Sequence, residues 1–171
     1  ITEAGSYHVI EDAAGRFAVR AALDISDATT GGQIKFPSAQ RASSDANTLD
    51  DYEEGTFTPT ANSMTTVLGG GAVAYSGRYV KVGKLVFYSI LVDASGGATT
   101  ASTAGSTYFS GMPFNAASAA DAAGSMQAVD SGIVSLGNGV VSHSGITRAY
   151  TPTWSARTSD VYLSGVYEAA A

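Results

Sequence analysis

The chain predicts an all-β protein: an antiparallel β-sandwich or jelly-roll-like C-terminal domain over residues 49–171, preceded by a short β-rich stalk over residues 1–48. Three observations carry this. Apolar and polar residues alternate at period two in several stretches, the pattern of half-buried strands. Glycine supplies 20 of the 171 residues and falls largely between those stretches, where it marks turns. Charged residues make up 14%, well under the roughly 25% of ordinary soluble chains, and Ala, Ser, Thr and Gly fill the difference. Short strands joined by small-residue turns point to a sandwich.

Taken in order, Tyr7, Val9 and Ile10 open with a short strand, and Glu11 to Gly15 form a turn. Phe17, Val19, Ala21, Leu23 and Ile25 then face one side while Ala18, Arg20, Ala22, Asp24 and Ser26 face the other. Gln33 to Phe36 adds a third strand. Three short strands cannot enclose a core alone; identical neighbours in a trimer, wound as a β-prism or an intertwined stalk, would cover them. Pro37 ends this segment, because proline has no N–H for a ladder.

Asn47 or Thr48 is placed to cap a single helical turn, with Asp50 or Asp51 three residues on. Leu49 and Tyr52 would share one face of that turn, and Gly55 would supply its left-handed exit. From Thr56 onward the pattern is β. Val80 to Val86 reads as a hairpin with Gly83-Lys84 as its two-residue turn, glycine first as type II′ prefers. Leu85 to Val92 is apolar on nearly every position, so both faces call for cover, from a second layer or from another subunit. Residues 93–106 and 115–125 read as long small-residue loops. Ile133 to Leu136 and Val140-Val141 flank Gly137-Asn138-Gly139, a second hairpin signal. Val161 to Tyr167 closes the sheet, with Val161, Leu163 and Tyr167 inward. Phe57 and Tyr167 are assigned to the core.

Composition removes several function classes. Net charge is −6 and the nine Lys and Arg are scattered, so no basic face is available to neutralise phosphates and no nucleic-acid partner is expected. No apolar run approaches the ~20 residues of a membrane span, and membrane insertion is not expected. Cysteine is absent, which leaves stability to packing and association. The chain opens at Ile1 rather than Met, as a fragment or processed product would.

Three blocks carry a family resemblance. The first runs from Gly32 through Phe36-Pro37 and Leu49-Asp-Asp-Tyr-Glu-Glu-Gly55 to Thr56-Phe-Thr-Pro-Thr60; the second is Gly77-Arg-Tyr-Val-Lys-Val-Gly83-Lys-Leu-Val86; the third is Leu163-Ser-Gly-Val-Tyr167. In this order they resemble the junction and C-terminal domain of bacteriophage tail-fibre and tail-spike proteins, over roughly residues 32–170. The resemblance implies a C-terminal β-sandwich, a homotrimer about a fibre axis, and a place on the virion. It further implies contact with other tail or capsid proteins through the N-terminal side, and a host-surface glycan or protein as the outward partner. The function expected is host attachment without catalysis, with no cofactor and no metal. A structural head fibre or capsid decoration protein shares the same features. A polysaccharide-degrading spike is the remaining alternative.

The candidate chemistry is thin. Asp50, Asp51, Glu53 and Glu54 could serve a glycosidase or a calcium loop, but adjacent side chains diverge and the spacing is not that of a calcium loop. A structural junction is the better reading. His8 and His143 are the only imidazoles and lie far apart, which gives zinc nothing to use. No nucleophile elbow or phosphate-binding loop is present. The aromatic set Tyr108, Phe109, Tyr150, Trp154, Tyr162 and Tyr167 is the best lead. Within it, Tyr150 and Trp154, with Arg148 and Arg157, form the candidate receptor or glycan contact, since sugar rings stack on aromatics. For Trp154 the competing reading is core.

Overall fold

The structure is a computed structural model that describes residues 52–117, 124–131 and 133–170. The stalk expected over 1–48 and the capped turn as far as Asp51 lie outside the described residues. Among the described residues the fold is all-β and antiparallel, as expected, with the layers of a sandwich.

Among the described residues twelve strands follow one another. They begin with β1 (Tyr52–Phe57), β2 (Thr60–Asn62), β3 (Thr65–Val67) and β4 (Ala72–Val82). Next come β5 (Leu85–Ser95), β6 (Thr99–Ser102), β7 (Tyr108–Ser110) and β8 (Gly124–Asp130). The last are β9 (Val134–Ser144), β10 (Ile146–Tyr150), β11 (Trp154–Arg157) and β12 (Val161–Glu168). Nine form one sheet in the order β1-β4-β5-β12-β8-β9-β10-β7-β2, and β11-β6-β3 form a second.

The large sheet curls so that its two ends face each other. Tyr75 on β4 meets Phe109 on β7 edge to face, with ring centroids 5.8 Å apart. Between them lies one core cluster that includes Val86, Tyr88, Ile90 and Val92 from β5, Met126 from β8, Val141 from β9, and Leu163 and Tyr167 from β12. The expected inward set of the closing strand, Val161, Leu163 and Tyr167, is buried. Tyr167 also ties down the 111–117 connection: its hydroxyl accepts from Phe114 N at 3.2 Å and donates to Phe114 O at 3.0 Å.

Several local expectations are refined. Val82 pairs with Leu85 around Gly83-Lys84, and Gly83 has φ 56° whereas Ser63 and Ser131 are the only described non-glycine residues with positive φ. That is the type II′ pattern. Tyr52 and Gly55 lie on β1, not on a helical turn, because β1 pairs with β4 along its whole length. Gly137-Asn138-Gly139 is not a hairpin turn either. β9 runs straight through it and pairs with β8, with a register shift opposite Ala128 and Val129. The glycines there mark an irregularity in a strand, a use that competes with turns for the same residues. The expected loop over 93–106 holds the end of β5 and all of β6. In the region 115–125, Ala116 bridges to Ala169 and β8 begins at Gly124; residues 118–123 lie outside the description.

Candidate functional site

The outer face of the large sheet varies in chemistry. On β4, β5 and β12 the register sets Val82 beside Leu85, and Val80 beside Phe87, which in turn neighbours Val166. Leu85 is 49% and Phe87 50% exposed. The second face of β5 therefore has no cover within the described chain, and the strand alternates buried and open positions.

The outer face of β9, β10, β7 and β2 is mixed: polar and aromatic side chains stand there beside Val140 and Ile146, 46% and 47% exposed. Tyr150 pairs with Val140 on one side and Tyr108 on the other, and Arg148 pairs with Ser142. The Tyr108 and Tyr150 rings lie 5.3 Å apart. The Arg148 guanidinium stands 5.1 Å above the Tyr108 ring, and its Nη1 donates to the Tyr150 hydroxyl at 3.4 Å. A cation held over an aromatic face is attracted by the ring quadrupole, so the guanidinium plane is oriented by its neighbours. Beside this cluster is an open groove of about 380 Å³, lined by Tyr150, Asn138, Val140, Ser142, Gly105 and Thr151 among others.

The four candidate contact residues therefore separate. Arg148 and Tyr150 come together, Tyr150 lining the groove and Arg148 bonded to it from outside the lining. Trp154 does not join them: it is 4% exposed and belongs to the core cluster. β11 lies in the second sheet with Trp154 paired to Ser102, and a large aromatic is more stable covered than wet. Its glycan-contact reading is thereby corrected to the core reading. Arg157 is engaged elsewhere, with Nη1 2.7 Å from Asp130 Oδ2. Ser159 also donates to Asp130, and that hydrogen bond, with the Arg157 charge, holds the Asp130 carboxyl below its usual range. Tyr108 belonged to the aromatic set but not to the candidate site. Asn138 and Ser142 were missed because Gly137-Asn138-Gly139 reads as a turn.

The acidic run behaves as strand. Glu53 and Glu54 are neighbours on β1, and they alternate in burial as successive strand residues do. They point to opposite faces and cannot converge. Asp50 and Asp51 lie outside the described residues, as does His8. Among the described residues no group of three or more His, Cys, Asp and Glu is placed to hold a metal ion. His143 sits on β9 opposite Thr147, with Nδ1 buried and unbonded.

The blocks quoted from the sequence meet on adjacent strands. Gly55 pairs with Tyr79, and Phe57 with Gly77, across β1 and β4. Gly165 pairs with Tyr88 across β12 and β5. In each pair an aromatic ring occupies the space where a glycine side chain would otherwise stand. No protein-family model, curated protein or solved structure matches this chain.

Proposed function

We propose that this chain is a virion appendage, a tail fibre or receptor-binding tip, that attaches a bacteriophage to its host as a homotrimer and without catalysis. The observation that carries the reading is the make-up of the outer face, where exposed Val140 and Ile146 also stand near the groove. One half is an exposed apolar strip on β4, β5 and β12, suited to burial against another copy. The other half offers a groove with aromatic and polar walls, suited to an outside ligand. A contiguous exposed apolar patch on a soluble domain marks an interaction surface. Arg78 and Glu168 stand outward beside the strip with opposite charge, so neighbouring copies of the chain can pair them across an interface. The quoted motif blocks add support, since the second falls on β4 and β5 and the third on β12, the strands that carry that strip. Among the described residues the groove walls hold no carboxylate, which favours binding over the acid-base pair a glycosidase uses.

Repetition about an axis suits such a site. Three weak grooves held together gain through effective concentration, by about 10²–10⁴ in avidity. The test is competition for host cells. Soluble trimer added ahead of the phage that encodes it is expected to slow adsorption, whereas monomeric protein at equal chain concentration is expected to do so far less. Trimer that neither binds cells nor slows adsorption would leave the structural head-fibre reading in its place.

A further inference from the structure

We infer that the groove beside β9 and β10 binds a saccharide bearing a carboxylate, with Arg148 holding the acid and Tyr150 packing against the sugar ring. On the attachment reading above, that sugar belongs to the host surface.

Charge placement is the first ground. The chain has 15 Asp and Glu against nine Lys and Arg, yet β2, β7, β9 and β10 contain no Asp or Glu at all. Among those four strands Arg148 is the sole Lys or Arg. On β8 the one acid, Asp130, is buried and already paired with Arg157. Among the described residues Arg148 thus stands as a cation without an acidic partner, on a face whose strands carry no Asp or Glu.

Its hydrogen-bonding state is the second. A guanidinium carries five N–H donors in a planar fork. Among the described residues Arg148 makes one side-chain bond, the 3.4 Å contact from Nη1 to Tyr150; its Nε is buried and unbonded, so a ligand would have to use the terminal nitrogens. Stacking on Tyr108 fixes the plane of the group without using its donors. A preoriented fork with donors to spare matches a carboxylate, which accepts two parallel N–H bonds.

The walls of the groove supply the third. A pyranose presents an apolar face of C–H groups and a rim of hydroxyls. Tyr150 and Val140 offer apolar surface; Asn138 and Ser142 offer an amide and a hydroxyl, while the Thr151 hydroxyl is buried and bonded to Thr107 O. The volume of about 380 Å³ falls in the range of small-ligand sites. Arg148 itself stands outside the groove's lining, over Tyr108 on the β7 side, but two wall residues adjoin it. Ser142 is its partner in the β9–β10 register, and the Tyr150 hydroxyl accepts from its Nη1, so an acid projecting from a sugar ring past Tyr150 would reach it.

The experiment is calorimetric titration of the whole chain with trigalacturonate and with sialyllactose, each against its methyl ester. The ester keeps the sugar and removes the charge. At least one acid is expected to bind about tenfold or more tighter than its ester, as the loss of a charge-assisted pair implies. Arg148→Ala is expected to erase that preference, Arg148→Lys to recover only part of it, and Tyr150→Ala to weaken acid and ester alike. Equal binding of acid and ester by the unmutated chain, or binding of neither, overturns the inference whatever the variants do. Displacement of the sugar by inorganic phosphate at comparable concentration overturns it too, since the site would then be a general anion site. Protein that slows phage adsorption but ignores both acids would keep the attachment role and sink this inference alone.

Discussion

Phe57 lies over Gly77, its partner across β1 and β4, so closely that a Cβ at position 77 would sit 2.4 Å from the ring. The neighbouring pair repeats the arrangement in reverse, with Tyr79 covering Gly55 at 3.0 Å. The two rings stand 6.5 Å apart, and Tyr79 continues edge to face onto Phe114 at 5.2 Å. An edge strand of six residues is thus joined to the sheet by an aromatic ladder that depends on the absence of two side chains.

Gly77→Ala is expected to destabilise the domain by about 1–3 kcal/mol, the usual cost of forcing extra atoms into a packed site. Phe57→Ala removes the ring that the added methyl group would strike. The double variant should therefore lose less than the two single losses added together, and urea unfolding of all four proteins measures the coupling. Strict additivity would show that the ring and the glycine do not meet in solution.

The Asp130 cluster sets an acid limit. Its carboxyl is held low by the Ser159 hydroxyl first and by the Arg157 charge, partly offset by burial. A carboxyl depressed in the folded state contributes stability that is whole above about pH 4, the unfolded value, and is lost as pH falls through the folded one. Melting temperature should drop in that window, and Asp130→Asn should flatten the drop while lowering the melting temperature at neutral pH.

Two tyrosines set the opposite limit. Burial pushes the Tyr167 hydroxyl up to about 12, and burial raises Tyr88 further. Unfolded tyrosine ionises near pH 10, so both contributions are whole below about pH 10 and fall as pH rises toward 12. Tyr167→Phe should remove part of this alkaline limb. It should also cost roughly 1–3 kcal/mol at neutral pH, because Phe114 N–H and C=O lose the hydroxyl that both now use.

What could be read from the sequence follows from which signals are local. Alternation in Val161 to Tyr167 marks a strand because each residue reports its own face, and the unbroken apolar run of Leu85 to Val92 marks another, although its sequence does not tell the buried face from the open one. The Gly83-Lys84 turn is equally local, since its backbone demands a glycine. Gly137-Asn138-Gly139 misleads for the same reason: turn residues and strand irregularities draw on one vocabulary, and only pairing with β8 separates them. The candidate site was half legible. Arg148 and Tyr150 lie two apart on one strand and so share a face. Tyr108 joins them only through the β7–β10 pairing, and no local pattern announces a pairing between distant segments. Trp154 shows the limit most plainly, because an aromatic flanked by arginines looks the same in sequence whether it faces a ligand or the core.

The apolar strip gives the remaining prediction. Val80, Val82, Leu85 and Phe87 are 36%, 38%, 49% and 50% exposed and adjacent in register across β4 and β5. Exposed singly, such residues are ordinary; exposed together, they favour association, since each Å² of apolar surface removed from water contributes about 25 cal/mol. The parent chain is expected to scatter light as a species of three times 17.3 kDa. Phe87→Glu sets a charge in the middle of the strip, where three copies about an axis would each bury one. That variant should run as a monomer with an unchanged far-ultraviolet spectrum, and its unfolding free energy per chain at high dilution should lie within about 0.5 kcal/mol of the parent, as for other exposed positions. A parent chain that stays monomeric at all concentrations would remove self-association through this face. A Phe87→Glu trimer as stable as the parent's would move the interface to another surface.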